Sequence, residues 1–272
     1  MSYIDEDNSR LVLVNSLNRI SGTETDFFYN LKLPANNFDR VCVTQIAVPR
    51  NYYDVDIYTN TFTLYELGVP TTITLPVGWY NVNTMLTEVL SELNANSPNH
   101  WTYTGTYPSY GSVSTNEYTF TVSGNSGQPS FGFSYDDCYN QMGFEPSTVN
   151  AFVGNTLTST TTINISYINK IFLQSTICSQ EQNNLLCPIL NPGTVPNGAF
   201  IFYQENTIEA NSRKFTNVKD NIFHFQLFDE YGNILQNNGM NMAFMLLLYK
   251  KEKINTLFSK HLEAENLEKL LT

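Results

Sequence analysis

Apolar and polar positions alternate with a period of two through most of this chain, the spacing of strands with one buried face. The spacing predicts strands over Arg10–Leu17, Asp26–Leu33 and Phe38–Val48, with Pro34 and Pro49 closing the last two. Strict alternation in Phe38–Val48 puts Val41, Val43 and Gln45 on one face and Cys42, Thr44 and Ile46 on the other. Further strands follow at Thr61–Leu67, Thr71–Leu75, Trp101–Thr104, Glu117–Val122, Ser130–Ser134, Lys170–Ile177 and Ala199–Tyr203. Ile222–Phe228 sets Phe223, Phe225 and Leu227 on one face. Met240–Tyr249 is apolar on both faces over most of its length, the pattern of a central strand. The total is roughly ten to twelve strands with no alternating βαβ pattern, which predicts an all-β fold, a β-sandwich or jelly roll.

Two segments break the β pattern. Val82, Met85, Leu86, Val89, Leu90 and Leu93 share one face of a helix, with Asn81 placed to cap it and Pro98 to stop it. This is the one inserted helix, and such a stripe covers one side of a sheet. Cys138–Phe144 reads as a shorter turn of helix ending at Gly143, and Thr156–Thr162 as a polar loop. After the last strand, Ile254, Leu257, Phe258, His261 and Leu262 form one apolar helical stripe. Leu267, Leu270 and Leu271 form a second, out of phase with the first, among Glu263, Glu265 and Glu268. Residues 251–272 are therefore an amphipathic C-terminal helix appended to a jelly-roll domain spanning 1–250. The first stripe is a candidate assembly contact, free to fold back on its own sandwich or to dock on a neighbour.

Composition sharpens this picture. Charged residues make up 14% of the 272 residues, against roughly 25% in typical domains. Polarity comes from Asn, Thr and Ser instead, and 17 Tyr and 18 Phe supply β-favouring aromatic surface. The stretch from about 100 to 165 is rich in Tyr, Thr, Ser and Gly and reads as a polar loop set or insertion. Net charge is −11, and no Lys or Arg occurs between Arg50 and Lys170, which argues against a nucleic-acid partner. Lys250, Lys251 and Lys253 cluster where the last strand ends, and read as a solvated junction. The N-terminal residues lack the apolar core of a signal peptide, and the longest apolar run, Met242–Tyr249, is too short for a membrane span. The chain is thus expected to be made as a soluble protein.

Catalytic chemistry has little to stand on. Cys42, Cys138, Cys178 and Cys187 form no C-x-x-C pair, which argues against a zinc site. His100, His224 and His261 are far apart, and nucleotide-loop and serine-nucleophile motifs are missing. Asp54/Asp56 and Asp136/Asp137 lack the glycine spacing of a calcium loop and read as solvated pairs. No enzyme, cofactor, metal or small-molecule substrate is expected.

Four segments, in order, resemble the single-jelly-roll penton proteins of the adenovirus, virophage and polinton-like lineage. They are Phe38–Tyr53 (FDRVCVTQIAVPRNYY), Thr72–Leu93 (TITLPVGWYNVNTMLTEVLSEL), Cys138–Phe144 (CYNQMGF) and Ile222–Tyr249 (IFHFQLFDEYGNILQNNGMNMAFMLLLY). Their counterparts are an early strand running into a proline and an aromatic turn, a strand–glycine–tyrosine–helix element, a short helix ending in leucine–glycine–phenylalanine, and the closing strand pair with its two glycine turns. Met142 stands in place of the leucine, Gln45 stands where an acidic residue is common, and the C-terminal helix has no match. The resemblance implies a structural minor capsid protein of the virion. It would be a homopentamer at the fivefold vertices, ringed by a double-jelly-roll major capsid protein. The rival reading is a jelly-roll receptor- or carbohydrate-binding module, with Tyr103, Tyr107 and Tyr110 stacking on sugars. A β-sandwich hydrolase or metal enzyme acting through Asp136 and Asp137 is the third.

Overall fold

β-Branched and aromatic residues at every second position cannot bury both faces of an isolated strand, so they drive pairing into sheets. In the computed structural model this yields seventeen strands, three α-helices and one 3-10 turn among the described residues, which are 9–33, 38–107, 116–123, 127–166, 168–178, 184–191, 195–216 and 220–251. The chain divides into two compact units, 1–51 with 170–272, and 52–169. The first holds β1 (Ser9–Asn15), β2 (Ser21–Gly22), β3 (Asp26–Asn30) and β4 (Arg40–Pro49). The second holds β5 (Thr61–Glu66), β6 (Val69–Thr74), α1 (Val82–Asn96), β7 (Thr102–Thr106), β8 (Thr119–Ser123), β9 (Ser130–Gly132), α2 (Tyr139–Met142), β10 (Val149–Ala151) and β11 (Thr156–Thr158). The chain then returns to the first unit with β12 (Lys170–Ser175), β13 (Leu185–Leu190), β14 (Phe200–Gln204), α3 (Ile208–Asn211), β15 (Arg213–Lys214), β16 (Ile222–Asp229) and β17 (Ala243–Tyr249).

The first unit is a jelly roll. One sheet runs β1-β17-β4-β14, with β15 also on β4, and the other runs β13-β12-β16-β3-β2. Setting aside the two-residue strands, eight strands remain. Numbered one to eight along the chain, they lie in the orders 1-8-3-6 and 5-4-7-2. That double Greek key, antiparallel throughout, is the jelly-roll order. The whole second unit is inserted between the third and fourth of these strands. Phe225 of one sheet meets Phe244 of the other at 5.2 Å, and Val41, Val43, Ile46, Val48, Leu173, Phe223 and Leu246 are buried. Each such side chain contributes about 1.5–3 kcal/mol relative to exposure.

β17 is central, as its double-faced apolar pattern predicts, but Met245 on its outer face is only half-buried. The strict alternation expected for β4 fails at one residue. Met245 opposes Gln45 while Leu246 opposes Val43, so Thr44 is an extra residue, a β-bulge whose hydroxyl donates to the Met245 carbonyl at 3.3 Å. Past the bulge the faces swap: Ile46 and Val48 turn inward, and Gln45 and Ala47 turn outward.

The second unit begins at Tyr52. The reason is its core. Phe62 and Leu64 of β5 and Met85, Val89 and Leu93 of α1 pack in one cluster with Tyr103, Phe120, Phe131, Phe144 and Phe152. Its sheets run β10-β9-β5-β6 and β11-β8-β7, and α1 packs against β6 and β7. Asn81 caps α1 through the backbone N–H groups of Asn83 and Thr84, and Thr84 returns a bond to complete a capping box. Gly105 admits Leu86, since a Cβ there would lie 3.0 Å from the leucine methyl. Gly143 ends α2 in the left-handed region, where a Cβ would also meet the Thr161 carbonyl at 2.6 Å. Thr156–Thr158, expected as loop, pairs with β8.

Candidate interaction faces

The jelly roll exposes two sheet faces of different character. On the first sheet, register places Leu13 beside Met245 and Gln45, Leu11 beside Leu247, and Ala243 between Asn15 and Ala47, with Phe202 next to Ala47. Leu11 is 54% exposed, Leu13 60%, Phe200 43% and Phe202 76%. The side chains named in these rows are apolar or amide. They form a shallow groove lined by Leu13, Gln45, Ala47, Phe202, Gln204 and Met245. Exposed leucine and phenylalanine on one sheet face is the arrangement that marks an interaction surface.

The second sheet presents a mixed face. Its rows are Pro188–Phe172–Phe228, then Gln174–Gln226–Asp26, then His224–Phe28, with Leu190 and Ile222 exposed at opposite ends. The His224 ring stacks on Phe28 at 4.4 Å with an 8° tilt, and its Nε2 lies 2.5 Å from Asp26 Oδ1. A strand histidine among phenylalanines is thus held by an aromatic face and a carboxylate. Apolar side chains interleaved with amides and a histidine–carboxylate contact suit a subunit contact with a wet rim.

Between β14 and β15 a short polar loop is tied by one carboxylate. Glu205 accepts from Tyr203 Oη, from Thr207 N at 2.5 Å and Oγ1 at 2.7 Å, and from Asn211 Nδ2 at 2.7 Å. Desolvation raises the carboxyl, but the hydrogen bonds from Tyr203, Thr207 and Asn211 outweigh it and hold the group at about 2. Because that lies below the ordinary 4.5, the loop gains from the ionised form above about pH 4.5 and loses the gain as pH falls toward 2. A carboxyl-carbon NMR titration should therefore place Glu205 near 2, with Thr207 and Asn211 amides shifting alongside. A midpoint above 4 contradicts the tether.

The other residues singled out in the sequence have local roles. Asp54 Oδ2 accepts from Tyr80 N at 3.0 Å, and Asp56 Oδ1 accepts from Tyr58 N and Thr59 Oγ1. Asp137 accepts from Thr61 Oγ1 and Ser134 N, each at 2.6 Å, so it pins a turn to β5. All four cysteines are buried and free. Burial pushes their thiols up, Cys42 to about 11 and Cys178 and Cys187 to about 12. Among the described residues no cluster of three or more His, Cys, Asp or Glu is placed to hold a metal, and no helix is long and apolar enough to cross a membrane.

The sugar-stacking reading of Tyr103, Tyr107 and Tyr110 is corrected at its first residue. Tyr103 is buried in the core of the second unit and gives its hydroxyl to Glu66 at 2.6 Å. Tyr107 packs against the same core and donates to Asn116 Oδ1 at 2.7 Å, and Tyr110 lies outside the described residues. So do Ile254, Leu257, Phe258, His261 and Leu262. Sequence reasoning missed Glu66, which is fully buried. The signal was there: Phe62, Leu64 and Glu66 follow period two and share the inward face of β5.

No family model matches this sequence, and no curated protein matches it. Among solved structures, the fold is similar to that of the mavirus penton protein, at a TM-score of 0.48 and 9% identity, covering 89% of this chain and all of that one.

Proposed function

We propose that this chain is a structural capsid protein of the penton kind, assembling as a homopentamer at the fivefold vertices of an icosahedral virion. It performs no catalysis, and a double-jelly-roll major capsid protein surrounds it. The observation that carries this reading is the single jelly roll with large apolar side chains on its outer sheet faces. The ordered motif resemblance in the sequence supports the vertex position. The mixed face of the second sheet is the self-contact: Phe28, Leu190 and Ile222 bury against the next copy, while His224, Asp26 and the glutamines form its rim. A ring of five uses one such patch against a different patch on the neighbour, a contact that closes without leaving a free edge.

Light scattering and negative-stain images of the purified full chain test this. Fivefold rings are expected, and the Phe28→Asp/Leu190→Asp double substitution should return the chain to monomer. A monomer at every concentration, or rings of another order, sinks the pentamer. Intact rings in the double variant would move the contact to another face.

A further inference from the structure

The second unit carries a cleft on the outer face of its β10-β9-β5-β6 sheet. It encloses about 460 Å³, within the range of about 300–1,000 Å³ typical of small-ligand sites. We propose that this cleft binds a neutral saccharide through the Asp137 carboxylate, the hydroxyls of Thr63, Tyr65 and Thr72, and the Tyr65 ring.

Sheet register builds the cleft. Val149, Gly132, Thr63 and Thr72 oppose one another in one row across the sheet. The glycine leaves the middle of that row without a side chain. Tyr65, from the next row of β5, uses the space: a Cβ on Gly132 would lie 2.9 Å from its Cε2 and 3.7 Å from its Oη. The ring therefore lies down over the glycine. Unlike Tyr103, which is buried, Tyr65 is half-exposed.

The lining suits a polyol. Asp137 is held by Thr61 Oγ1 and Ser134 N, each at 2.6 Å, which leaves a further acceptor site on each carboxylate oxygen. Neighbouring sugar hydroxyls are donors for such a fixed carboxylate, and bonds to a charged acceptor are the stronger kind. The hydroxyls of Thr63, Tyr65 and Thr72 bond to no described residue, so each is open to give or accept. Val149, 75% exposed, and the Tyr65 ring offer apolar surface to the C–H groups of a sugar.

Two observations argue against other ligands. No Lys or Arg occurs between Arg50 and Lys170, so the second unit has no cation to meet a phosphate, sulfate or carboxylate. β5 and β9 are interior strands paired on both sides, so they offer no main-chain edge to an extended peptide. The cleft lies within the second unit alone, so the inference goes beyond the pentamer and does not depend on it.

Saturation-transfer NMR on the full chain tests it. The probes are the neutral methyl pyranosides of glucose, galactose, mannose and N-acetylglucosamine, with N-acetylneuraminic acid as the anionic control. At least one neutral glycoside should receive saturation with a dissociation constant on the order of 1 mM, as about a dozen heavy atoms at modest efficiency give. The acid should receive none. Thr63→Val removes a hydroxyl that bonds to no described residue and should weaken binding about threefold to tenfold. Gly132→Ala should weaken it similarly by lifting the Tyr65 ring. Unchanged tryptophan emission shows the unit intact, and Thr63→Val decides alone if Gly132→Ala disturbs the fold. Transfer to no neutral glycoside, equal transfer to the acid, or binding indifferent to Thr63→Val overturns the inference.

Discussion

Replacing Phe131 by alanine is expected to cost the second unit about 3–5 kcal/mol, the largest loss from any one apolar side chain there. Phe131 is fully buried at the centre of β9. Its ring meets four others edge to face: Phe62 at 5.4 Å, Phe120 at 5.3 Å, Phe144 at 6.2 Å and Phe152 at 5.3 Å. Such contacts add about 0.5–1.5 kcal/mol beyond area for each pair. The neighbours come from β5, β8, the end of α2 and the segment after β10, so no single element can move to fill the void. Both tryptophans, Trp79 and Trp101, lie in this unit, so fluorescence reports on it selectively. Denaturant titration followed at the tryptophans should show the midpoint falling with little change in slope. A loss under about 1 kcal/mol would mean that the cluster relaxes around the cavity.

How far the sequence discloses this fold depends on whether a signal is local. Asn81 and the stripe from Val82 to Leu93 define α1 because cap and periodicity are both read within one helix. Gly143 is legible for the same reason, as a residue that must turn left-handed. β17 is legible as a central strand because it lacks a polar face. The boundary at Tyr52 is not legible. β5, β6 and α1 carry apolar patterns as strong as those of the jelly-roll strands, and nothing in a pattern says which core a strand will join. The bulge at Thr44 is hidden likewise, since it exists only in the register against β17. The interaction faces fall between these cases. Leu11 and Leu13 alternate with Val12 and Val14, so the sequence shows two apolar faces on β1. It does not show that one faces outward, because that depends on β1 lying at the sheet edge beside Met245 and Leu247.

Removing the carboxyl of Glu66 should destabilise the second unit nearly as much as losing Phe131, by a different route. Its Oε1 accepts from Ser97 Oγ at 2.7 Å and Tyr103 Oη at 2.6 Å, and its Oε2 accepts from Asn99 N and Nδ2, each at 3.0 Å. These bonds tie the end of β5 to the turn after α1 and to β7. Burial pushes the Tyr103 phenol up, and the bond to Glu66 and its charge push it the same way. Glu66→Leu keeps the bulk and strands those donors, at about 1–3 kcal/mol for each one left buried without a partner. Glu66→Gln keeps an oxygen for Asn99 and turns an amide toward two hydroxyls. Ser97 Oγ, however, already accepts from Trp101 N at 2.8 Å, which leaves Tyr103 as the better acceptor. The expected order of stability is therefore wild type, then glutamine, then leucine. Thermal unfolding followed at Trp101, whose backbone N–H is bonded into this network, measures it. If leucine proves as stable as wild type, the network is decoration on a fold that the phenylalanine cluster holds alone.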